Sequence, residues 1–292
     1  MTGSRGGSRS TSSRNRARHG RPRSAPRPKK RFGQHFLSDL NLLAGIADAA
    51  EIAPGESAIE VGPGFGGLTA ALAERASRVV AVEVDRDLCR VLRERFAATR
   101  NVTIVEGDAL ALTPGELLTR GGAAPPYAVV ANLPYNIAAP VLRKFLEGEV
   151  RPRVLVVMVQ LEVAEAIVAE PGAMSLLSVA TQVYGEARMV MKVPPGAFHP
   201  PPKVQSAVVR IDVAPEPRVN APLDVFFRVV RAGFGNPRKQ LRNSLSFGLH
   251  VKQERIGEAL SDASIDATRR PQTLSLAEWA AITRAWVART RA

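Results

Sequence analysis

Ser57-Ala58-Ile59-Glu60-Val61-Gly62-Pro63-Gly64-Phe65-Gly66-Gly67 decides the fold class. A short strand-like run enters a glycine-rich turn, and a helical pattern opens at Leu68. Glycines at such a turn let the backbone reverse tightly and approach a ligand without a Cβ in the way. Gly62, Gly64 and Gly67 satisfy G-x-G-x-x-G, a pattern that is weak by itself. Its surroundings strengthen it. Arg78 to Val84, Val102 to Val105, Tyr127 to Ala131 and Arg153 to Val159 read as further strands. Helical stretches such as Leu68 to Arg75, Arg86 to Ala98 and Ala138 to Leu146 lie between most of them. The alternation predicts an α/β, Rossmann-like domain with a mostly parallel sheet covered on both faces.

Three acids narrow the ligand. Glu60 precedes the glycine turn, where a carboxylate suits a cofactor with an ammonium and a sulfonium better than a pyrophosphate. Glu83, 21 residues past Gly62, fits ribose hydroxyls in either cofactor class. Asp108, in Glu106-Gly107-Asp108-Ala109, can meet an adenine amine or serve as a turn residue. Together they favour S-adenosylmethionine over a nicotinamide cofactor, and no His, Tyr or Lys constellation for hydride transfer is evident. Arg31-Phe32-Gly33-Gln34-His35-Phe36-Leu37 is apolar enough to close over a cofactor before a helix that begins near Asp39.

Asn132-Leu133-Pro134-Tyr135 follows the apolar run Tyr127 to Ala131. The tetrad sets an amide oxygen, backbone carbonyls and an aromatic face around one small volume, a set suited to a planar base with an exocyclic amine. The alternative is a strand-terminal turn that Asn132 and Pro134 merely shape.

The charge is unevenly spread. Residues 1–31 hold 11 Arg and Lys and no acid, and almost no apolar side chains, which predicts a disordered basic tail that grips RNA. Residues 32–213 hold 16 basic and 20 acidic residues; residues 214–292 hold 13 and 7. A polyanion gripped by the ends and presented to the middle follows from this distribution. The expected division is therefore tail 1–31, catalytic domain 32–213 and a small all-α RNA-contacting domain 214–292. There, Leu223 to Gly233 and Arg238 to Leu245 read as helices, with Arg238, Lys239 and Arg242 on one broad face. Trp279 and Trp286 read as core anchors of the last helix, and Cys89, the single cysteine, as a small buried apolar residue. The four histidines show no metal-ligand spacing, and no secretory or membrane-spanning pattern occurs.

The chain resembles the rRNA adenine N6-dimethyltransferases, most closely the KsgA (RsmA) small-subunit type. The resemblance runs through nearly all of 32–290. It is carried by Gly33-Gln34-His35-Phe36-Leu37, Glu60-Val61-Gly62-Pro63-Gly64, Val82-Glu83-Val84-Asp85, Gly107-Asp108-Ala109 and Asn132-Leu133-Pro134-Tyr135-Asn136. Val193 to Ala207, Arg238 to Leu245 and Arg270 to Leu274 continue it. Two stretches depart from the family pattern: Met174-Ser175-Leu176-Leu177-Ser178, and Asn236-Pro237-Arg238-Lys239, which has one arginine fewer than is usual before the lysine.

The resemblance implies S-adenosylmethionine contacts at His35, Leu37, Gly62, Glu83, Asp108 and Asn132, with Glu83 on the ribose and Asp108 on the adenine amine. It implies dimethylation of two adjacent adenosines near the 3′ end of 16S rRNA, in the small subunit or its precursor, by a cytoplasmic, monomeric enzyme that needs no metal. Catalysis is expected from Asn132, Leu133, Pro134 and Tyr135, with Tyr135 and Phe198 stacking on a flipped base. The rival expectations are a 23S rRNA methyltransferase of the macrolide-resistance (Erm) type and a non-catalytic assembly factor on the same fold.

Overall fold

A computed structural model describes residues 36–291. The basic tail and His35 lie outside the described residues. A seven-stranded sheet organises the chain. Its parallel part consists of β2 (Ser57–Val61), β3 (Arg78–Glu83), β4 (Val102–Glu106), β5 (Tyr127–Asn132) and β6 (Val154–Gln160). Helices α2 (Gly67–Ala73), α3 (Arg86–Arg95), α4 (Pro114–Gly121) and α5 (Ala138–Glu147) make the crossovers. Two further strands, β7 (Gly185–Val193) and β9 (Ser206–Val213), add antiparallel to β6 in the order β4-β3-β2-β5-β6-β9-β7. The expected parallel sheet is present, and its antiparallel margin extends it.

Strand β5 shows why the sheet is buried on both faces. Tyr127, Val129 and Ala131 enter one apolar cluster, and Ala128 and Val130 enter the other. Period-2 alternation of purely apolar residues leaves neither face for water. Helix α1 (Leu40–Asp48), capped by the Asp39 carboxylate, covers the second cluster with α2. Ahead of it, β1 (Phe36–Leu37) pairs antiparallel with β8 (Phe198–His199). This short clasp brings Leu37 to the mouth of the sheet. Helices α6 (Leu161–Ile167) and α7 (Leu176–Gln182) bridge β6 to β7.

Past β9 the chain is helical: α8 (Leu223–Phe234), α9 (Leu241–Leu249), α10 (Gln253–Asp262) and α11 (Leu276–Arg291). Trp279 is fully buried and Trp286 nearly so, in an apolar cluster continuous with the first face of the sheet. Cys89 is buried as expected.

One expectation needs correction. Arg238 and Lys239 do not lie on a helix with Arg242. They occupy a turn after Pro237, and α9 begins at Leu241, because Gln240 is extended (φ −61, ψ 150). The first amides of α9 are held by Arg269 and Ala267 carbonyls, at 2.7 and 3.2 Å, rather than by an earlier turn of helix.

Helices α8 and α9 touch where Gly248 meets Ala232: an added Cβ would stand 2.5 Å from the Ala232 Cα. Gly248→Ala should therefore cost about 1–3 kcal/mol through forced separation of the two helices. A chemical denaturation series reads this directly, and an unchanged midpoint would show that the contact yields freely.

Candidate active site

Strands β2 and β5 are neighbours, while the chain leaves β2 toward β3 on the other side. The crossover helices part there, which opens a crevice beyond the carboxyl ends of the strands. A cavity of about 340 Å³ fills it. Leu37, Gly62, Glu83, Asp108, Asn132, Leu133, Pro134 and Tyr135 all line this one space, although they come from five separate segments.

The glycine turn forms one wall. Gly62 and Gly64 adopt positive φ (71° and 58°), which side chains resist, and a Cβ on Gly62 would meet nothing within 4 Å. That open space lets a ligand come close to the chain's backbone at Gly62. Gly64 has the opposite surroundings: a Cβ would stand 3.0 Å from the Phe36 ring. Phe36 packs on Phe65, with ring centroids 4.3 Å apart, so the clasp closes directly over the turn.

Glu83, at the end of β3, is 5% exposed. Its Oε1 accepts the Asp85 amide at 2.9 Å and its Oε2 accepts the Gly64 amide at 3.4 Å. Burial raises its carboxyl pKa, and these backbone donors oppose the rise. Asp108 is exposed, with Oδ1 accepting the Leu110 amide at 2.8 Å, so it shapes its turn while its carboxylate stays at the cavity wall.

Asn132 closes β5, in register with Met158 of β6, and the Leu133 amide donates to the Met158 carbonyl at 3.2 Å. The Pro134 carbonyl accepts the Ile137 amide at 3.1 Å as α5 begins. That engagement makes the Leu133 carbonyl the better partner of Asn132 for a substrate amine. The Tyr135 hydroxyl stands 3.0 Å from Ser206 Oγ, on β9. Ser206 is fully buried, so it anchors the ring from the antiparallel edge of the sheet. Sequence reading missed this residue as a site component, although it sits inside the Val204-Gln205-Ser206-Ala207 stretch of the resemblance. Phe198 does not reach the cavity. It is 5% exposed in β8 and packs in the second apolar cluster, while its neighbour His199 lines the cavity.

Glu60 also lines the cavity, at 1% exposure. Its Oε2 accepts the Thr69 hydroxyl at 2.6 Å. Burial pushes its carboxyl up to about 8, opposed by the Thr69 bond, raised further by Glu83 and lowered by Arg95. The residue set suits an adenosyl cofactor: the buried Glu83 carboxyl as an acceptor for hydroxyls, a glycine turn for close approach, and apolar walls for a planar ring. Among the described residues no His, Cys, Asp and Glu cluster could hold a metal.

Three comparisons bear on this geometry. A model of the family "Ribosomal RNA adenine dimethylase" matches residues 26–285. The chain belongs to the ribosomal RNA adenine dimethylase family. A relative from Dehalococcoides mccartyi, "Ribosomal RNA small subunit methyltransferase A", is 44% identical over 254 residues, covering 87% of this chain and 86% of its own. One of the same name from Moorella thermoacetica is 44% identical, covering 88% and 92%. Among solved structures, the 23S rRNA methyltransferase ErmE aligns with a TM-score of 0.69 and 29% identity, over 86% of this chain and 99% of its own. A dimethyladenosine transferase from Plasmodium falciparum shares the fold, with a TM-score of 0.75 and 21% identity over 88% and 98%.

The state of Glu60 predicts a pH dependence for this dimethylase. A carboxyl whose pKa is higher in the folded than in the unfolded chain holds its proton better when folded. Its contribution is thus full below the ordinary value of 4.5 and is lost as pH rises through about 8. Thermal melts of ligand-free protein across that window should show Glu60→Gln gaining on the wild type as pH rises. Parallel pH profiles for the two proteins would contradict it.

Proposed function

We propose that this chain transfers methyl groups from S-adenosylmethionine to N6 of two adjacent adenosines near the 3′ end of 16S rRNA. The observation that supports it most is the meeting of two walls in one cavity: the Gly62–Gly64 turn with Glu83 and Asp108, and the Asn132 to Tyr135 tetrad. Glu83 would take the ribose hydroxyls, Asp108 the adenine amine, and Leu37 with Phe36 would cover the ring. His35 is proposed for the same cofactor on the resemblance alone. The cofactor supplies a methyl group made electrophilic by its sulfonium.

Adenine N6 is a poor nucleophile because its lone pair is delocalised into the ring. The Asn132 side-chain oxygen and the Leu133 carbonyl, each accepting one N6 hydrogen, would draw the nitrogen toward tetrahedral geometry and localise that pair. Tyr135, steadied by Ser206, would stack on the flipped base. A matching stack by Phe198 requires its ring to leave the core, so the reading rests on Tyr135. Positioning is the main source of rate, and the product nitrogen loses its proton to solvent.

The small-subunit target is favoured over 23S rRNA because relatives named for the small subunit are 44% identical, against 29% for ErmE. The test is methyl transfer from labelled S-adenosylmethionine to undermethylated 30S and 50S particles, with the modified bases mapped. Dimethyladenosine at adjacent 16S positions is expected, and label in 23S rRNA alone would overturn the target. On 30S particles, Asn132→Ala should lose on the order of 10²–10³ in turnover; near-normal turnover would sink the proposed role of the amide.

A further inference from the structure

The turn that carries Asp108 runs from Gly107 to Leu112, between β4 and the Thr113 cap of α4. Among the described residues, hydrogen bonds reach this turn from outside at two points. The Gly107 amide donates to the Glu83 carbonyl at 2.9 Å. The Leu110 carbonyl accepts Lys144 Nζ at 2.6 Å, from 34 residues away. Leu110 is also where Asp108 is held: its amide donates to Asp108 Oδ1 at 2.8 Å. The next amide, that of Ala111, donates to the Asp108 carbonyl at 3.0 Å. The peptide group joining Leu110 to Ala111 is thus gripped at both ends, by Asp108 on its N–H and by Lys144 on its C=O.

Lys144 projects from a firm base. It belongs to α5, whose Val141, Leu142, Phe145 and Leu146 are buried, and it is itself half-buried. It does not line the cavity, whereas Gly107, Asp108, Ala109 and Leu110 do. Holding a lysine in one rotamer costs conformational freedom, and water solvates an ammonium well, so a helix has no intrinsic reason to commit one to a carbonyl. A bond from a charged donor offsets that cost and fixes the carbonyl more firmly than a neutral one. What it fixes is the peptide whose neighbouring amide orients an otherwise exposed carboxylate. Among the described residues Asp108 Oδ2 takes no hydrogen bond, so it remains the acceptor that faces a ligand.

We propose that Lys144 is a positioning residue for the cofactor's adenine amine, acting through the Leu110 peptide on the Asp108 carboxylate. The proposal rests on the reading of Asp108 as the acceptor of that amine. It adds a residue outside the cavity that makes the site selective for a purine bearing an amine. A brace that merely stabilised the fold would affect every ligand of the cavity alike, whereas this arrangement affects only those that use Asp108.

The experiment titrates two ligands in a calorimeter into the full chain: S-adenosylhomocysteine, and its analogue in which hydrogen replaces the adenine amine. The proteins are the wild type, Lys144→Met, Asp108→Ala and the double variant, each first shown by thermal melting to be folded. Lys144→Ala serves the same comparison should Lys144→Met not fold. Lys144→Met should bind S-adenosylhomocysteine on the order of tenfold more weakly and the analogue as the wild type does. In the Asp108→Ala background the Lys144 substitution should weaken neither ligand further. Wild-type affinity of Lys144→Met for S-adenosylhomocysteine would overturn the proposal. So would an equal loss for both ligands, or an undiminished loss in the Asp108→Ala background, either of which would make Lys144 a brace of the fold alone. Wild-type binding of both ligands by Asp108→Ala would overturn the role of Asp108 and this proposal with it. Failure of the wild type to bind S-adenosylhomocysteine would overturn the cofactor reading itself.

Discussion

A buried carboxylate at the end of β3 joins the parts of the site that sequence distance separates. Glu83 accepts the Gly64 amide of the turn after β2 and the Asp85 amide that leads into α3. Its own carbonyl accepts the Gly107 amide, from the turn after β4, at 2.9 Å, and the Cys89 thiol from α3 at 3.4 Å. Three consecutive turns at one edge of the crevice are thus fixed to a single residue. Burying an acid is costly unless donors surround it, and backbone amides are donors that cannot rotate away. The result is an acceptor whose position is settled before any ligand arrives.

The other side of the cavity is organised by the sheet rather than by charge. Asn132 is the last residue of a fully buried strand, and its place follows from register with Met158. Tyr135 sits three residues beyond and is steadied through Ser206, which the pairing of β6 with β9 brings opposite Gln160. The antiparallel margin therefore contributes to the site, since it supplies the support for the aromatic ring. Preorganisation of both walls fits a reaction whose difficulty lies in orienting a weak nucleophile rather than in moving protons.

The legible parts of the sequence were those in which local pattern and fold agree. Strands such as Tyr127–Asn132 are continuous apolar runs between a helix and a glycine or proline signal, and these give parallel buried strands directly. The strand β7 was missed because its exposed residues alternate with half-buried ones and a bulge falls between Met189 and Met191. Ser206 was missed because its partner lies 71 residues away and a lone serine has no pattern. Phe198 looked like a base-stacking ring beside a proline run, yet pairing of β1 with β8 holds it in the core. The basic cluster was displaced by one helical turn because Pro237 and an extended Gln240 delay the start of α9. For β7 and for the start of α9, a bulge or a local breaker overrode a periodicity that was real.

The most direct test of this account is titration of S-adenosylmethionine, in a calorimeter, into the wild type and Glu83→Gln, each first shown by thermal melting to be folded. The variant keeps one acceptor for the backbone amides but loses the charge that would face the ribose. It should bind roughly tenfold to a hundredfold more weakly, the range for a hydrogen bond to a charged group. Equal affinity in the two proteins would show that the carboxylate serves the turn alone and that the cofactor is held elsewhere.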